Sequence, residues 1–214
     1  MSRDLSGAAV HSDRRIFWID GFVPRATCAR MLDELDFAFW RPSAVVRRRA
    51  GGGLTSRRSR VRTSESAEER WFTPQLQRSL RRIESRLITV VGCDLRRREP
   101  WQATRYRRRA WFDEHCDCGY WASDAQRERE RTVLIYLDTP GRGGSTRFRR
   151  LGLDVAAEAG RLVVWNNLSS DGRCDPTMLH ASTPVTRGRK TTLVTWIRQR
   201  RIAASNGGHH DGRR

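Results

Sequence analysis

Five histidines occur in the 214-residue chain, and three of them, His11, His209 and His210, lie in terminal stretches poor in apolar residues. His115 and His180 remain for a folded body. His115 stands two residues before Asp117, so on an extended strand both side chains leave the same face, and a later strand can bring His180 beside them. Two imidazoles and one carboxylate on one face of a metal leave open coordination positions, the arrangement of non-haem Fe(II) oxygenases. The motif is short, however. An isolated H-x-D arises often by chance, and a lone buried histidine is more often a packed, hydrogen-bonded residue than a ligand.

The segment after His180 shifts the balance. One of the 42 basic side chains is a lysine, Lys190, and it lies ten residues past His180. An ammonium is a compact point charge for a carboxylate where a wider guanidinium fork does not fit. Residues 190, 192, 194 and 196 would share one face of a strand.

These residues need a scaffold that gathers 115–117, 180 and 190 in one place. A short strand is expected over 15–20, then a helix over 25–40, whose apolar positions Cys28, Met31, Leu32, Leu35 and Phe39 recur at the spacing of one buried face. Gly51-Gly52-Gly53 reads as a hinge within an Arg-rich stretch. A second helix is expected over 73–91, with Pro74 in its first turn and Gly92 as its stop. After Asp94 the pattern turns to short apolar or alternating runs at 102–107, 131–138, 146–148, 161–166, 177–181 and 190–199, which imply an antiparallel sandwich or barrel. The organisation is one domain over 14–202, between polar tails at 1–13 and 203–214.

Composition narrows the function classes. The formal charge of +18 invites a nucleic-acid partner. Near-exclusive use of arginine over lysine points instead to a coding bias that decorates any solvated face, and it argues against reading charge alone as a polyanion site. Five irregularly spaced cysteines, with no secretory signal before them, read as reduced thiols in a cytoplasmic protein. Cys116-Asp117-Cys118 lacks the spacing of a structural zinc site. No apolar run reaches the ~20 residues that cross a bilayer, so no membrane partner is expected.

In order along the chain stand Arg62-Thr63-Ser64, Arg105-Tyr106, His115-Cys116-Asp117, Thr132 through Asp138 with Tyr136, Gly143-Gly144-Ser145-Thr146-Arg147-Phe148, Gly160 through Asn166 with Trp165, and His180 through Trp196. Over roughly residues 15–200 these segments resemble the prolyl 4-hydroxylase family of Fe(II)/2-oxoglutarate-dependent dioxygenases. The resemblance implies a mainly β fold with some α, a double-stranded β-helix (jelly roll, cupin-like) braced by N-terminal helices. It implies Fe(II) held by His115, Asp117 and His180, 2-oxoglutarate and O2 as cosubstrates, and ascorbate as an accessory reductant. Lys190 would pair with the distal carboxylate of 2-oxoglutarate, since the family lysine sits six residues before a tryptophan as Lys190 does before Trp196; Arg189 is the competing anchor. Tyr136 would hydrogen-bond the same carboxylate, Tyr106 and Thr132 would line the pocket, and Arg62, Phe112 and Trp165 would meet the substrate.

Two departures stand near the expected mouth. Tyr106-Arg107-Arg108-Arg109 replaces the common Tyr-x-Pro-Gly, and Phe112 stands where tyrosine is common. They bear on prolyl specificity rather than on iron. Retention of Asp117 favours hydroxylation over halogenation, because related halogenases carry a small residue there. The implied partner is a small-molecule or peptide substrate: a peptidyl or free amino acid, or a small specialised metabolite. Two alternatives remain: an oxidative nucleic-acid demethylase of the same superfamily, which would use arginines where this chain has Lys190, and a non-catalytic basic nucleic-acid-binding protein, which leaves the His-Asp-His-Lys set unexplained.

Overall fold

Residues 8–10, 15–48, 54–57, 61–120 and 127–201 are described in a computed structural model. The expected hinge at Gly51-Gly52-Gly53 and most of the two expected tails lie outside those residues. Inside the first tail, Ala8–Val10 pairs with Ile16–Ile19, so regular structure begins earlier than composition implied.

Helix α1 (Arg25–Leu35) buries Cys28, Met31 and Leu35. It stops short of the expected residue 40. The Leu35 carbonyl accepts from the Ala38 amide at 3.1 Å and from the Trp40 indole N–H at 2.9 Å, which turns the chain out of the helix. Helix α2 (Pro74–Val91) matches its sequence signals. Thr73 caps it by accepting from the Leu76 amide, Pro74 opens it, and Gly92 closes it in the left-handed region at φ 62°.

The strands form two facing antiparallel sheets, a jelly roll. The larger runs, edge to edge, Ala8–Val10, Ile16–Ile19, Leu162–Asn166, Arg129–Tyr136, Lys190–Arg198, Gln102–Tyr106, Glu65–Glu68 and Arg41–Pro42. The smaller runs Leu153–Val155, Thr146–Phe148, His180–Ser182 and Phe112–His115. Two ribbons, Arg142–Gly143 with Val185–Arg187 and Val45–Arg48 with Leu54–Arg57, flank them.

Alternation along the large sheet decides where each side chain goes. Val133, Ile135, Leu162, Val164, Leu193 and Ile197 pack with both helices in the outer core. Val163, Trp165 and Tyr136 point the other way and form the inner core with Phe148, Val155 and Met178. Lys190, Thr192, Val194 and Trp196 share that inward direction and line a cavity between the sheets. Among the described residues no helix is long and apolar enough to cross a membrane.

The cysteine expectation requires correction. Cys118 and Cys174 form a disulfide, whereas Cys28, Cys93 and Cys116 are free. The pairing follows from packing: the Leu168↔Cys174 bridge and the Asp175 amide bond to the Asn167 carbonyl fold the 167–175 turn back under the loop that carries Cys118.

Candidate metal centre

His115 closes the strand Phe112–His115 and His180 opens the strand His180–Ser182, and the two residues are direct cross-strand partners. Asp117 lies just past its strand, at a bend, so its alignment with His115 comes from the loop rather than from strand alternation. One ligand atom from each of His115, Asp117 and His180 lies within 4.8 Å of the others. Asp117 Oδ1 is 4.0 Å from His115 Nε2, and Oδ2 is 3.7 Å from His180 Nε2.

The surroundings fix which atoms face inward. His115 Nδ1 donates to the Asp113 carbonyl at 2.8 Å and His180 Nδ1 to the Met178 carbonyl at 2.9 Å, so each Nε2 presents a lone pair. Thr132 Oγ1 donates to Asp117 Oδ2 at 2.6 Å and accepts from Asn167 Nδ2 at 2.9 Å. Phe112 stacks on His115 at 3.6 Å between ring centroids, while Trp165 packs edge-on to His180 at 4.9 Å. Burial and the neighbouring His180 push His115 toward its neutral form. Burial alone would raise the Asp117 carboxyl, but His180, His115, Arg129 and the Thr132 hydrogen bond hold it below the usual range. Neutral imidazole beside ionised carboxylate is the state that binds a divalent metal. The donor set therefore fits Fe(II): two nitrogens and one oxygen, converging from one side and braced from behind.

Lys190 is 1% exposed, and its ammonium reaches Ser182 Oγ and the face of Tyr106, 4.2 Å from the ring centroid. No carboxylate lies within ion-pair distance of it among the described residues, which suits an anchor for an external carboxylate. Arg189, the rival, points to Asp138 at 3.4 Å and is exposed. Tyr106, Thr132, Arg62, Phe112 and Trp165 all line the same cavity. Tyr136 does not. Its hydroxyl meets Thr146 Oγ1 at 2.6 Å and the Val155 carbonyl at 3.4 Å, so Thr146 stands between it and the cavity. Sequence reasoning passed over Ser182, Asn167 and Arg129. Ser182 lay within the segment read for Lys190, two residues past His180, and an inward strand position was its one signal.

A family model described as the 2OG-Fe(II) oxygenase superfamily matches residues 101–198. Prolyl 4-hydroxylase subunit alpha-1 of Gallus gallus is 31% identical over 155 residues; the match covers 70% of this chain, and the chain spans 29% of that longer protein. Among solved structures, the viral collagen prolyl hydroxylase of Paramecium Bursaria Chlorella virus-1, in its 2OG complex, aligns over 89% of this chain and 99% of its own, with a TM-score of 0.61 and 20% identity. A Trichoplax adhaerens prolyl hydroxylase, solved with a hypoxia inducible factor peptide fragment, aligns over 86% and 83% with a TM-score of 0.56 and 15% identity.

Proposed function

We propose, on the premise that this chain belongs to the 2OG-Fe(II) oxygenase superfamily as a prolyl 4-hydroxylase-like member, that it hydroxylates a peptidyl or free amino acid or a small specialised metabolite. The carrying observation is one cavity that joins the His115–Asp117–His180 cluster to the buried, carboxylate-free Lys190. In the overall change, substrate, O2 and 2-oxoglutarate become hydroxylated substrate, succinate and CO2.

When bound, Fe(II) would supply the site at which O2, the oxidant, is activated, with 2-oxoglutarate giving two of the four electrons that O2 takes up and the substrate the other two. The chain supplies place and orientation. His115 and His180 offer their Nε2 lone pairs, and Asp117, steered by Thr132, offers its carboxylate. Lys190 fixes the far carboxylate of the cosubstrate by charge, with Ser182 steadying the ammonium and Tyr106 covering it. Trp165 and Phe148 pack around His180 and keep that wall apolar and closed to water. Phe112 stacks on His115 and fixes its ring plane, while that side chain stays partly open to solvent.

A peptide substrate draws support from the Trichoplax adhaerens relative, which was solved with one. A nucleic-acid demethylase is disfavoured, because the fully buried cation at the cosubstrate position is Lys190, whereas those enzymes use arginines there. The test is incubation with Fe(II), 2-oxoglutarate and O2 against a panel of peptides and amino acids. We expect succinate release matched by a mass gain of one oxygen in a panel member. Succinate output no higher in any arm than in protein-free controls would overturn the reading.

A further inference from the structure

We propose that Arg62 selects a substrate bearing a free carboxylate, which its guanidinium holds at the mouth of the cavity; this rests on the hydroxylase reading. Arg62 is half-buried and lines the cavity, yet its side-chain hydrogen bonds go to neutral oxygens, Ser64 Oγ at 2.7 Å and Thr104 Oγ1 at 3.5 Å. No carboxylate lies within 4.0 Å of it among the described residues. Burial lowers its pKa, and the more distant Asp117 charge only partly opposes this.

The other cations of the cavity have assigned partners. Arg129 pairs with both oxygens of Glu99, at 2.6 and 2.8 Å. Lys190 is taken by the cosubstrate. Lys190 stands over the Tyr106 ring and Arg62 over the Phe112 ring, so the two carboxylate-free cations occupy different walls of the cavity. In the loaded site, the two charges of Fe(II) and the one of Lys190 are matched by Asp117 and doubly charged 2-oxoglutarate. Arg62 is the charge left over.

Geometry puts that charge beside the reaction. The guanidinium lies 4.4 Å from the Phe112 ring centroid, and Phe112 stacks in turn on His115 at 3.6 Å. Arg62 and Phe112 are also bridge partners across the backbone, which locks this file of planar groups. A carboxylate accepted in the fork of Arg62 would therefore hold the rest of a small molecule against the metal ligands.

The test is anaerobic calorimetry on protein loaded with Fe(II) and 2-oxoglutarate, titrated with the free L-amino acids, their amides, and short peptides with free or amidated C-termini. We expect at least one acid to bind about 10- to 100-fold more tightly than its amide, the loss of a charged hydrogen bond. Whether it is a free amino acid or a peptide terminus tells which source the site takes. Arg62→Gln should abolish the preference, and Arg62→Lys should keep part of it, while both variants still bind 2-oxoglutarate at least as tightly as the wild type, since loss of the neighbouring charge favours protonated Lys190. No acid preferred over its amide, or Arg62→Gln weakening 2-oxoglutarate while the preference survives, would overturn the proposal. Failure of the wild type to take up Fe(II) and 2-oxoglutarate would show before any amino acid is added, and would instead strike the hydroxylase reading.

Discussion

An ammonium at 1% exposure, with a hydroxyl and an aromatic face for company, works against folding. Burial lowers the Lys190 pKa from 10.5 to about 7, against the pull of Asp138 and with the push of Arg62. Because the folded-state value lies below the unfolded one, the cost is absent above about pH 10.5, builds as pH falls, and is constant below about 7. Lys190→Met should therefore stabilise the cosubstrate-free protein at neutral pH by about 1–4 kcal/mol, several degrees in Tm, while removing 2-oxoglutarate binding. Scanning calorimetry with and without cosubstrate checks both halves. In the wild type a bound carboxylate raises the Lys190 pKa, so 2-oxoglutarate affinity should be flat below pH 7 and fall about tenfold per pH unit above it. A titration flat to pH 9 would count against Lys190 as the anchor. Thr132→Val, which frees Asp117 Oδ2, should weaken metal binding about 10- to 100-fold in a competition titration. Scarcity made these residues readable: two histidines in the folded body and a single lysine stand out in an arginine-rich chain. Ser182 and Asn167 were not readable, since serine and asparagine are common and nothing local says which one faces inward.

At the scale of elements, alternation and capping carried most of the information. Thr73, Pro74 and Gly92 mark both ends of α2, and the apolar alternation at 131–136 and 190–197 locates the central strands. Glu65–Glu68 and Phe112–His115 escaped because sheet partners, not a hydrophobic face of their own, hold them extended. The Gly143-Gly144 turn has a steric cause. Gly143 sits at φ 78°, and a Cβ there would stand 2.1 Å from the Pro184 carbonyl oxygen. Gly143→Ala should cost about 1–3 kcal/mol in denaturant unfolding and disturb the Pro184–Thr186 backbone it packs against. The Cys118–Cys174 disulfide spans 56 residues and joins the Asp117 loop to the approach to His180, a pairing that irregular cysteine spacing could not reveal. Thiol titration in denaturant should find three reactive cysteines without reductant and five with it. Removing the bond by Cys118→Ser with Cys174→Ser should cost about 4 kcal/mol of stability. Five thiols without reductant would show that the bond is not formed.

Across the whole molecule the excess of +18 coexists with extensive internal pairing. Arg98 binds Glu69 and Glu84, Arg105 and Arg107 share Glu65, and Arg161 binds Asp20 and Glu158. Many arginines thus fasten the helices and strands together, and others among the described residues, such as Arg108 and Arg109, present a basic face to solvent. Any nucleic-acid binding by that face should fade as salt rises through the physiological range and leave succinate formation untouched. The resemblance in sequence reached this scale correctly, because a jelly roll places distant segments side by side in a fixed order, and that order was visible in the motifs. The claim on which everything else depends is that His115, Asp117, His180 and Lys190 hold iron and 2-oxoglutarate together. Anaerobic titration with Fe(II) and 2-oxoglutarate, followed by the weak visible charge-transfer band of the chelate, tests it most directly. A saturable band should appear in the wild type and vanish in Asp117→Ala; a folded wild-type protein with no band, or one whose band survives that substitution, would contradict it.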